Sequence, residues 1–476
     1  MGVADRLRAQ WRGGPLSDRN FRLLTAGQFT STVGDFCYAV ALPWLVLSTH
    51  GGPVLLGTVL ACYGVPRTVL MPLGGVLADK LGPRTIMLSA DLVRCGLVVV
   101  LAVFAAKHIV SLAALGPIAA LLGAGEGLFI PASFTIMPSL LRPDWLQAGN
   151  ALNSAAVQFG SLLGPALGGI LVASAGSAPA FAVDAASFGV SALALALIVP
   201  RTRASLSGTG ASSDGAGSAE MDAAGAAGAE SAGTGTSGAG AAGADAAGPA
   251  RPAAQRTPDE AGAGPGKPAG VWALLRHSRL LQVLIMVAAV ANLTSAGTFE
   301  VALPSLAHMS FGATGYGVLV ACYGAGAVIG TLAATKAGRL RRPAPVACGA
   351  FLIAAASICL VPFLGGLPGA AAAIVVLGAG NGFGNIIMIT LLQQWAPPAM
   401  LGRIMGVVML ASMGTFPVSV LLSGVLVRAI GPIPFFPVAG AVLAVAILGA
   451  LTQREIRDFG TESAEPAALS AAPISG

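Results

Sequence analysis

Twelve stretches of about 20 or more residues, apolar on every side, recur along the chain, and nothing else in the sequence limits the possible folds so strongly. They cover approximately 21–48, 54–77, 85–106, 109–140, 147–174, 179–200, 279–307, 314–336, 344–364, 368–395, 402–428 and 433–452. Each is long enough to cross roughly 30 Å of hydrocarbon as a helix. In lipid every backbone N–H and C=O must be satisfied within the segment, so helices are predicted despite abundant Gly and Pro. A membrane barrel would need alternating polar faces, which are absent. With 55% apolar and 10% charged residues and a mean hydropathy of +0.80, water is not the main solvent of this chain. The first 20 residues are polar and basic, and the first apolar stretch is longer than a signal core, so it is expected to remain as a span.

The sense of insertion follows from the basic residues. Of 26 Lys and Arg, 22 fall on the side of the N-terminus, only Lys107 and Arg428 lie on the other, and Arg67 and Arg94 sit inside spans. The positive-inside rule then predicts cytoplasmic termini in a multi-pass protein of the cell membrane. The net charge of +6 thereby reflects topology, and no nucleic-acid partner is expected. Cys37, Cys62, Cys95, Cys322, Cys348 and Cys359 all fall in spans without metal-ligand spacing and read as small packing residues. His50, His108, His277 and His308 are scattered, and neither HExxH nor a phosphate-binding glycine loop appears. The reading is therefore not an enzyme, with no metal and no cofactor.

Between residues 204 and 270 the sequence becomes Ala, Gly and Ser with almost no large apolar side chains, the composition of a disordered cytoplasmic linker. It separates a cytoplasmic segment (1–20) and a six-span unit (21–203) from a second six-span unit (271–453) and a tail (454–476). The two units are related. "ACYG" at 61–64 recurs at 321–324, "VALP" at 40–43 recurs at 301–304, and Trp11 is matched by Trp272. "LGAGEG" at 122–127 returns as "LGAGNG" at 377–382. Matches in one order with slowly shrinking offsets indicate a duplicated unit. Six spans per unit give both copies the same orientation, related by a pseudo-two-fold axis along the membrane normal, with a cavity expected where they meet.

Two denser motifs carry a family resemblance. "GGVLADKLGPR" after the second span places Gly75, Asp79, Lys80, Gly82 and Arg84 at the spacing of the loop motif that marks the major facilitator superfamily. Gly75 would allow close helix contact, Gly82 a tight turn, and Asp79 could face the positive end of a neighbouring helix. In the family that neighbour is the eleventh span, and the contact latches the cytoplasmic side; Pro83 replaces a residue that is usually basic. "GSLLGPALGG" in the fifth span, with Gly160, Gly164, Pro165, Gly168 and Gly169, resembles the antiporter motif of proton-coupled drug exporters, although Ala151 stands where the family has a leading glycine. Together with "ADLVR" at 90–94 the chain is similar to the branch containing macrolide-efflux and siderophore-export proteins. The resemblance covers all twelve spans and implies an all-α fold of two pseudo-symmetric six-helix bundles.

Ionisable residues within spans are expensive and mark candidate function. Asp35 lies about 14 residues, or ~21 Å, into the first span, and Glu126 reaches a similar depth in the fourth. Glu300 falls one helical turn from the Asp35 position in the repeat. In the family the first, fourth, seventh and tenth spans line the cavity, which implies that Asp35, Glu126, Glu300 and Asn381 surround it, with Arg67 seeking an anion. A carboxyl group withdrawn from water holds a proton more readily and can pass it from one side to the other. Each acid also has a structural alternative as the partner of Arg67 or Arg94. Asp91 and Arg94, three apart on one helix face, are expected to form a structural ion pair, and Asp184 is expected near the outer interface in contact with water. Asn150, Asn153 and Gln158 give the fifth span a polar side.

These readings converge on a proton-coupled exporter of small, partly apolar compounds such as drugs, macrolides or siderophore-like metabolites, working as a monomer by alternating access. Its partners are the small-molecule substrate, protons and the bilayer. Two other readings stay open: a facilitator or importer of a polar metabolite, and a membrane sensor or enzyme that transports nothing.

Overall fold

The computed structural model describes residues 14–49, 51–199, 278–336, 342–396, 401–457 and 459. The expected linker, the N-terminal segment before residue 14, most of the tail, and Trp11, Trp272, His50 and His277 lie outside the described residues.

Twelve helices are long and apolar enough to cross a membrane. The first unit comprises α1 (Arg19–Ser48), α2 (Gly52–Leu81), α3 (Pro83–Ala106), α4 (Leu112–Leu140), α5 (Leu146–Ala175) and α6 (Ser177–Leu197). In the second, α7 runs over Arg279–Gly297, Thr298–Ala302 and Leu303–Ser310, followed by α8 (Gly312–Lys336), α9 (Pro343–Leu360) and α10 (Gly366–Trp395). The last two spans are α11, in two pieces at Leu401–Gly414 and Phe416–Ile430, and α12 (Pro432–Thr452). No strand occurs among the described residues. The predicted spans each coincide with one spanning helix, α7 and α11 being interrupted, with ends moved by a few residues.

Local chemistry sets those ends. The Asp18 side chain accepts from the N–H groups of Asn20 and Phe21 at 2.8 and 3.3 Å and so caps α1. Ser111 and Ser278 do the same for α4 and α7. Pro83 occupies the first position of α3, where its missing N–H costs nothing, and Gly82 before it takes φ of +83°, a conformation glycine adopts freely. The tight turn read from the sequence is therefore present, and Pro83 serves it.

The repeated tetrapeptides explain the packing inside each unit. A Cβ on Gly123 would collide with the Tyr63 carbonyl, and one on Gly127 would collide with the backbone of Arg67. In the second unit Gly378 meets the Tyr323 carbonyl and Gly382 that of Ala327 in the same way. "LGAG-x-G" on α4 and α10 is thus the smooth surface against which "ACYG" on α2 and α8 is seated. Without a hydrophobic force between helices in lipid, this close backbone approach is what holds them.

The units meet through α5 with α8 and α2 with α11. Glycines of the antiporter-like motif serve both neighbours. A Cβ at Gly160 would lie 3.0 Å from Thr32, and one at Gly168 2.9 Å from Cys37, both on α1. One at Gly169 would lie 2.9 Å from the Ala313 carbonyl of α8, in the other unit. Gly57 and Gly64 of α2 abut Val420 and Phe416 of α11, and the rings of Trp44 and His308 stand 4.9 Å apart. The contacts of Gly169, Gly57, Gly64, Trp44 and His308 fall in the halves of their helices away from the N-terminal face.

One expectation for the loop motif needs correction. The close approach is made by Gly74, whose Cβ would meet the Gly127 carbonyl at 2.9 Å; Gly75 has only an ordinary contact with Pro131 at 3.9 Å. Asp79 is exposed and has no hydrogen bond or ion pair among the described residues; residues 397–400 and the side chains of 401–403, at the start of α11 where the latch is expected, lie outside them. Lys80 is exposed as well. Arg84 instead fastens the motif to α6: its Nε donates to the Leu195 carbonyl at 2.8 Å and its Nη2 to that of Ala196 at 2.7 Å, satisfying a helix C-terminus.

Candidate functional site

The glycine seam between α2 and α4 carries Arg67 to Glu126, whose Oε1 lies 3.4 Å from Nη2. Both side chains are buried, at 4% and 6% exposure. A pair this dry is costly to ionise unless its remaining lone pairs and protons find partners. Here Arg67 Nε and Glu126 Oε2 have none among the described residues. Glu300 of α7 stands within Coulombic reach of both Arg67 and Glu126, so a carboxyl group of the second unit faces a charged pair of the first.

A second pair forms where α1, α3 and α6 meet. Arg94 Nη2 donates to Asp35 Oδ1 at 2.9 Å, and the guanidinium lies over the Phe188 ring at 4.2 Å. Asp35 keeps 25% of its side chain exposed, more than Arg67, Glu126 or Arg94. The expected Asp91–Arg94 ion pair is not formed. The reason is geometric: Arg94 reaches across to α1, and Asp91 turns to α6, where it accepts from the Ser191 hydroxyl at 2.6 Å. Asp184 also departs from expectation. It is 1% exposed, because its side chain faces α1 beside Gly34 and accepts from Ser187 at 3.5 Å, away from interfacial water.

The second unit is less charged. Ala327 stands at the position of Arg67, and Asn381 at that of Glu126. Asn381 Nδ2 donates to the Tyr323 hydroxyl at 2.9 Å, and the Tyr323 ring rests 4.4 Å from that of Phe299, the neighbour of Glu300. The structure thus joins Asp35 to Arg94 and Glu126 to Arg67, places Glu300 near the latter pair, and leaves Asn381 in a separate polar contact. On α5, Asn150 is exposed, Gln158 is half-buried, and Asn153 Oδ1 is buried without a partner among the described residues.

Glu300 sits in irregular backbone. Thr298–Ala302 form a π turn in which the Leu303 N–H bonds to the Thr298 carbonyl. Pro304 has no N–H to offer the Glu300 carbonyl four residues earlier, and the wider turn accommodates that loss. The Tyr316 hydroxyl donates to the Phe299 carbonyl at 3.4 Å, capping an acceptor in the π turn. Pro43, the equivalent residue in the first unit, lies in a helix that stays α throughout, so the motif alone does not signal the π turn.

Sequence reasoning misses Ser187, Ser191 and Tyr323 and expects Asp184 in contact with water, where it is buried. The signal available for three of them is their spacing: 184, 187 and 191 share one face of a helix. An apolar hollow of about 750 Å³ between α3 and α6, lined by Cys95, Val99, Ala102 and Ala182, contains none of the acids and is distinct from the charged site. Among the described residues no cluster of His, Cys, Asp and Glu could hold a metal ion.

Twelve spanning helices in two duplicated units, with two buried ion pairs inside the first unit, are the architecture of a multi-pass membrane protein. The sequence model described as the Major Facilitator Superfamily matches residues 24–419 and 286–472, and the chain belongs to that superfamily. The multidrug efflux pump Tap of Mycolicibacterium fortuitum is 32% identical over 192 residues, 39% of this chain and 45% of that protein. The putative multidrug resistance protein MdtD of Yersinia pseudotuberculosis serotype I is 27% identical over 187 residues, 38% of each chain. The aligned part is thus less than half the length of these relatives. Among solved structures, the peptide transporter POT in complex with sulfate superposes with a TM-score of 0.64 at 13% identity, covering 93% of this chain and 96% of that one. A point mutant of the nucleoside transporter NupG gives 0.63 at 12% identity over 91% and 99%. At such identities the likeness is one of fold.

Proposed function

We propose that this transporter is a proton-coupled exporter of small, partly apolar compounds, seated in the cell membrane as a monomer with both termini in the cytoplasm. The charge balance of the site carries the reading. Asp35, Asp91, Glu126, Asp184 and Glu300 are five buried or half-buried carboxyl groups within spanning helices, and among the described residues Arg67 and Arg94 are the buried cations that oppose them. Fully ionised, the site would hold three uncompensated negative charges at low dielectric, so it has room for protons. Asp35 and Glu300, both partly exposed, are the groups best placed to exchange them, and Arg67 and Arg94 hold the carboxylates left charged.

The contacts between the units support a cycle of this kind. With the units joined on the face of Trp44 and His308, cargo enters from the N-terminal face. Protons arriving from outside neutralise the acids once the units rock, the ion pairs relax, and cargo leaves. The relatives named for multidrug efflux support export, and the glycine-lined α5 between α1 and α8 supplies a surface on which the units can pivot.

The test is a panel of lipophilic drugs on cells with and without the gene, followed by everted membrane vesicles energised with an acidic interior. Export predicts drug uptake into everted vesicles that collapses when the pH gradient is discharged. Accumulation of a polar metabolite by whole cells, with no such uptake, would replace this reading by import.

A further inference from the structure

Arg94 has a second acid within its reach that the pairing with Asp35 leaves unused. Asp91 lies three residues earlier on the same face of α3, is 0% exposed, and interacts electrostatically with Arg94. Its Oδ2 is held by Ser191, while its Oδ1 is buried and has no hydrogen-bond partner among the described residues. Arg94 Nε is likewise buried without a partner among them. An orphan donor and an orphan acceptor thus stand one helical turn apart. Leaving both unmade is costly unless another state of the protein joins them. The rings of Phe188 and Phe129, at 4.2 and 6.0 Å from the guanidinium carbon, flank the space in which the cation would turn.

We propose that Arg94 is a two-position counter-ion, holding Asp35 while that carboxylate is charged and passing to Asp91 when Asp35 takes up a proton. The inference rests on Asp35 being a proton-coupling group, as proposed above. No covalent step is involved: the proton stays on Asp35, the guanidinium keeps its own charge, and only its partner changes. The neighbouring charged or titratable groups are Asp184 of α6, Glu126 of α4, Arg67 of α2 and Tyr38 of α1. None of them shares the Arg94 face of α3. Asp91 is a positioning residue in this scheme, acting on the proton site through Arg94. Its consequence is mechanical, because the switch moves charge from the α1–α3 contact to the α3–α6 contact whenever a proton binds.

Two measurements test it on the full-length protein. The first is an experimental structure of Asp35→Asn, which mimics the protonated acid. Arg94 within hydrogen-bond distance of Asp91 Oδ1 is expected, and Arg94 still bound at position 35 would overturn the proposal. The second is an infrared titration of the purified protein, with the carboxyl band of Asp35 identified by its loss in Asp35→Asn. Asp91→Asn should lower the Asp35 midpoint by at least about one pH unit, a tenfold shift, because the guanidinium has nowhere to go. Asp91→Glu should restore it, and Asp184→Asn should move it less. An unchanged midpoint in Asp91→Asn overturns the switch. If Asp91→Asn does not fold, Ser191→Ala replaces it: freeing Asp91 from its hydroxyl should raise the Asp35 midpoint, and no rise counts against the switch. Failure of drug-driven proton flux with the Arg94 movement intact would remove the export reading alone.

Discussion

At the scale of single residues the site is an arrangement of too many acids around too few cations, and its energetics are dominated by what is left unpaired. Arg67 and Glu126 are a dry pair at 3.4 Å. Removing one member strands the other, at a cost of about 3–5 kcal/mol, whereas replacing both with apolar residues of similar volume costs much less. Arg67→Met is therefore predicted to lower thermal stability in detergent sharply and Arg67→Met with Glu126→Met to recover most of it; additive losses in that double-mutant cycle would contradict the pairing. Arg84 gives a milder expectation. Arg84→Ala leaves the Leu195 and Ala196 carbonyls without their donor and should cost about 1–3 kcal/mol, with Arg84→Lys recovering part. The acids themselves are legible in the sequence, because a carboxyl group within an apolar span is conspicuous. Their partners are not. Sequence pairs Arg94 with its own helix neighbour because it shows i,i+3 relations and hides the distance across to α1. It puts Asp184 in water because span depth gives its level in the membrane but not the face of α6 it occupies.

At the scale of elements, helix contact is set by glycines whose absent side chains admit a neighbouring backbone. Gly123→Val and Gly378→Val should be damaging to a similar degree, since each would drive a side chain into a tyrosine carbonyl, Tyr63 or Tyr323. Overpacking of this kind costs about 1–3 kcal/mol or more, read as loss of monodisperse protein on size exclusion and a lower melting temperature. Gly74→Ala should be harmful and Gly75→Ala tolerated, the reverse of what the loop motif suggests by eye, and equal behaviour of the two would contradict the α2–α4 packing described. The repeats disclose which segments are equivalent but not that "ACYG" and "LGAG-x-G" face each other, because a repeat carries order along the chain and no information on pairing between helices. The π turn at Thr298–Ala302 is equally hidden: Pro43 and Pro304 occupy matching positions, and only the second lies beside one.

At the scale of the whole molecule the twelve spans and their division into six and six can be read directly from hydropathy, since lipid leaves a spanning segment almost no alternative to a helix. Which face is open cannot, because the same sequence must support both states of the cycle. The contacts of Trp44 with His308 and of α2 with α11 describe closure on the face away from the N-terminus. Joining cysteines at positions 44 and 308 by a disulfide, in a variant lacking the six native cysteines, should stop transport and restore it on reduction; unimpeded transport with the bond intact would contradict that closure. The central claim is that carboxyl groups where the two bundles approach exchange protons for cargo, and purified protein sealed in liposomes under an imposed pH gradient tests it most directly. Addition of a drug the protein binds should release protons down the gradient in the wild type, and Asp35→Asn with Glu300→Gln, the two partly exposed acids, should abolish that flux while binding persists. Flux of equal size in the doubly neutralised variant, or none in the wild type, would contradict the account.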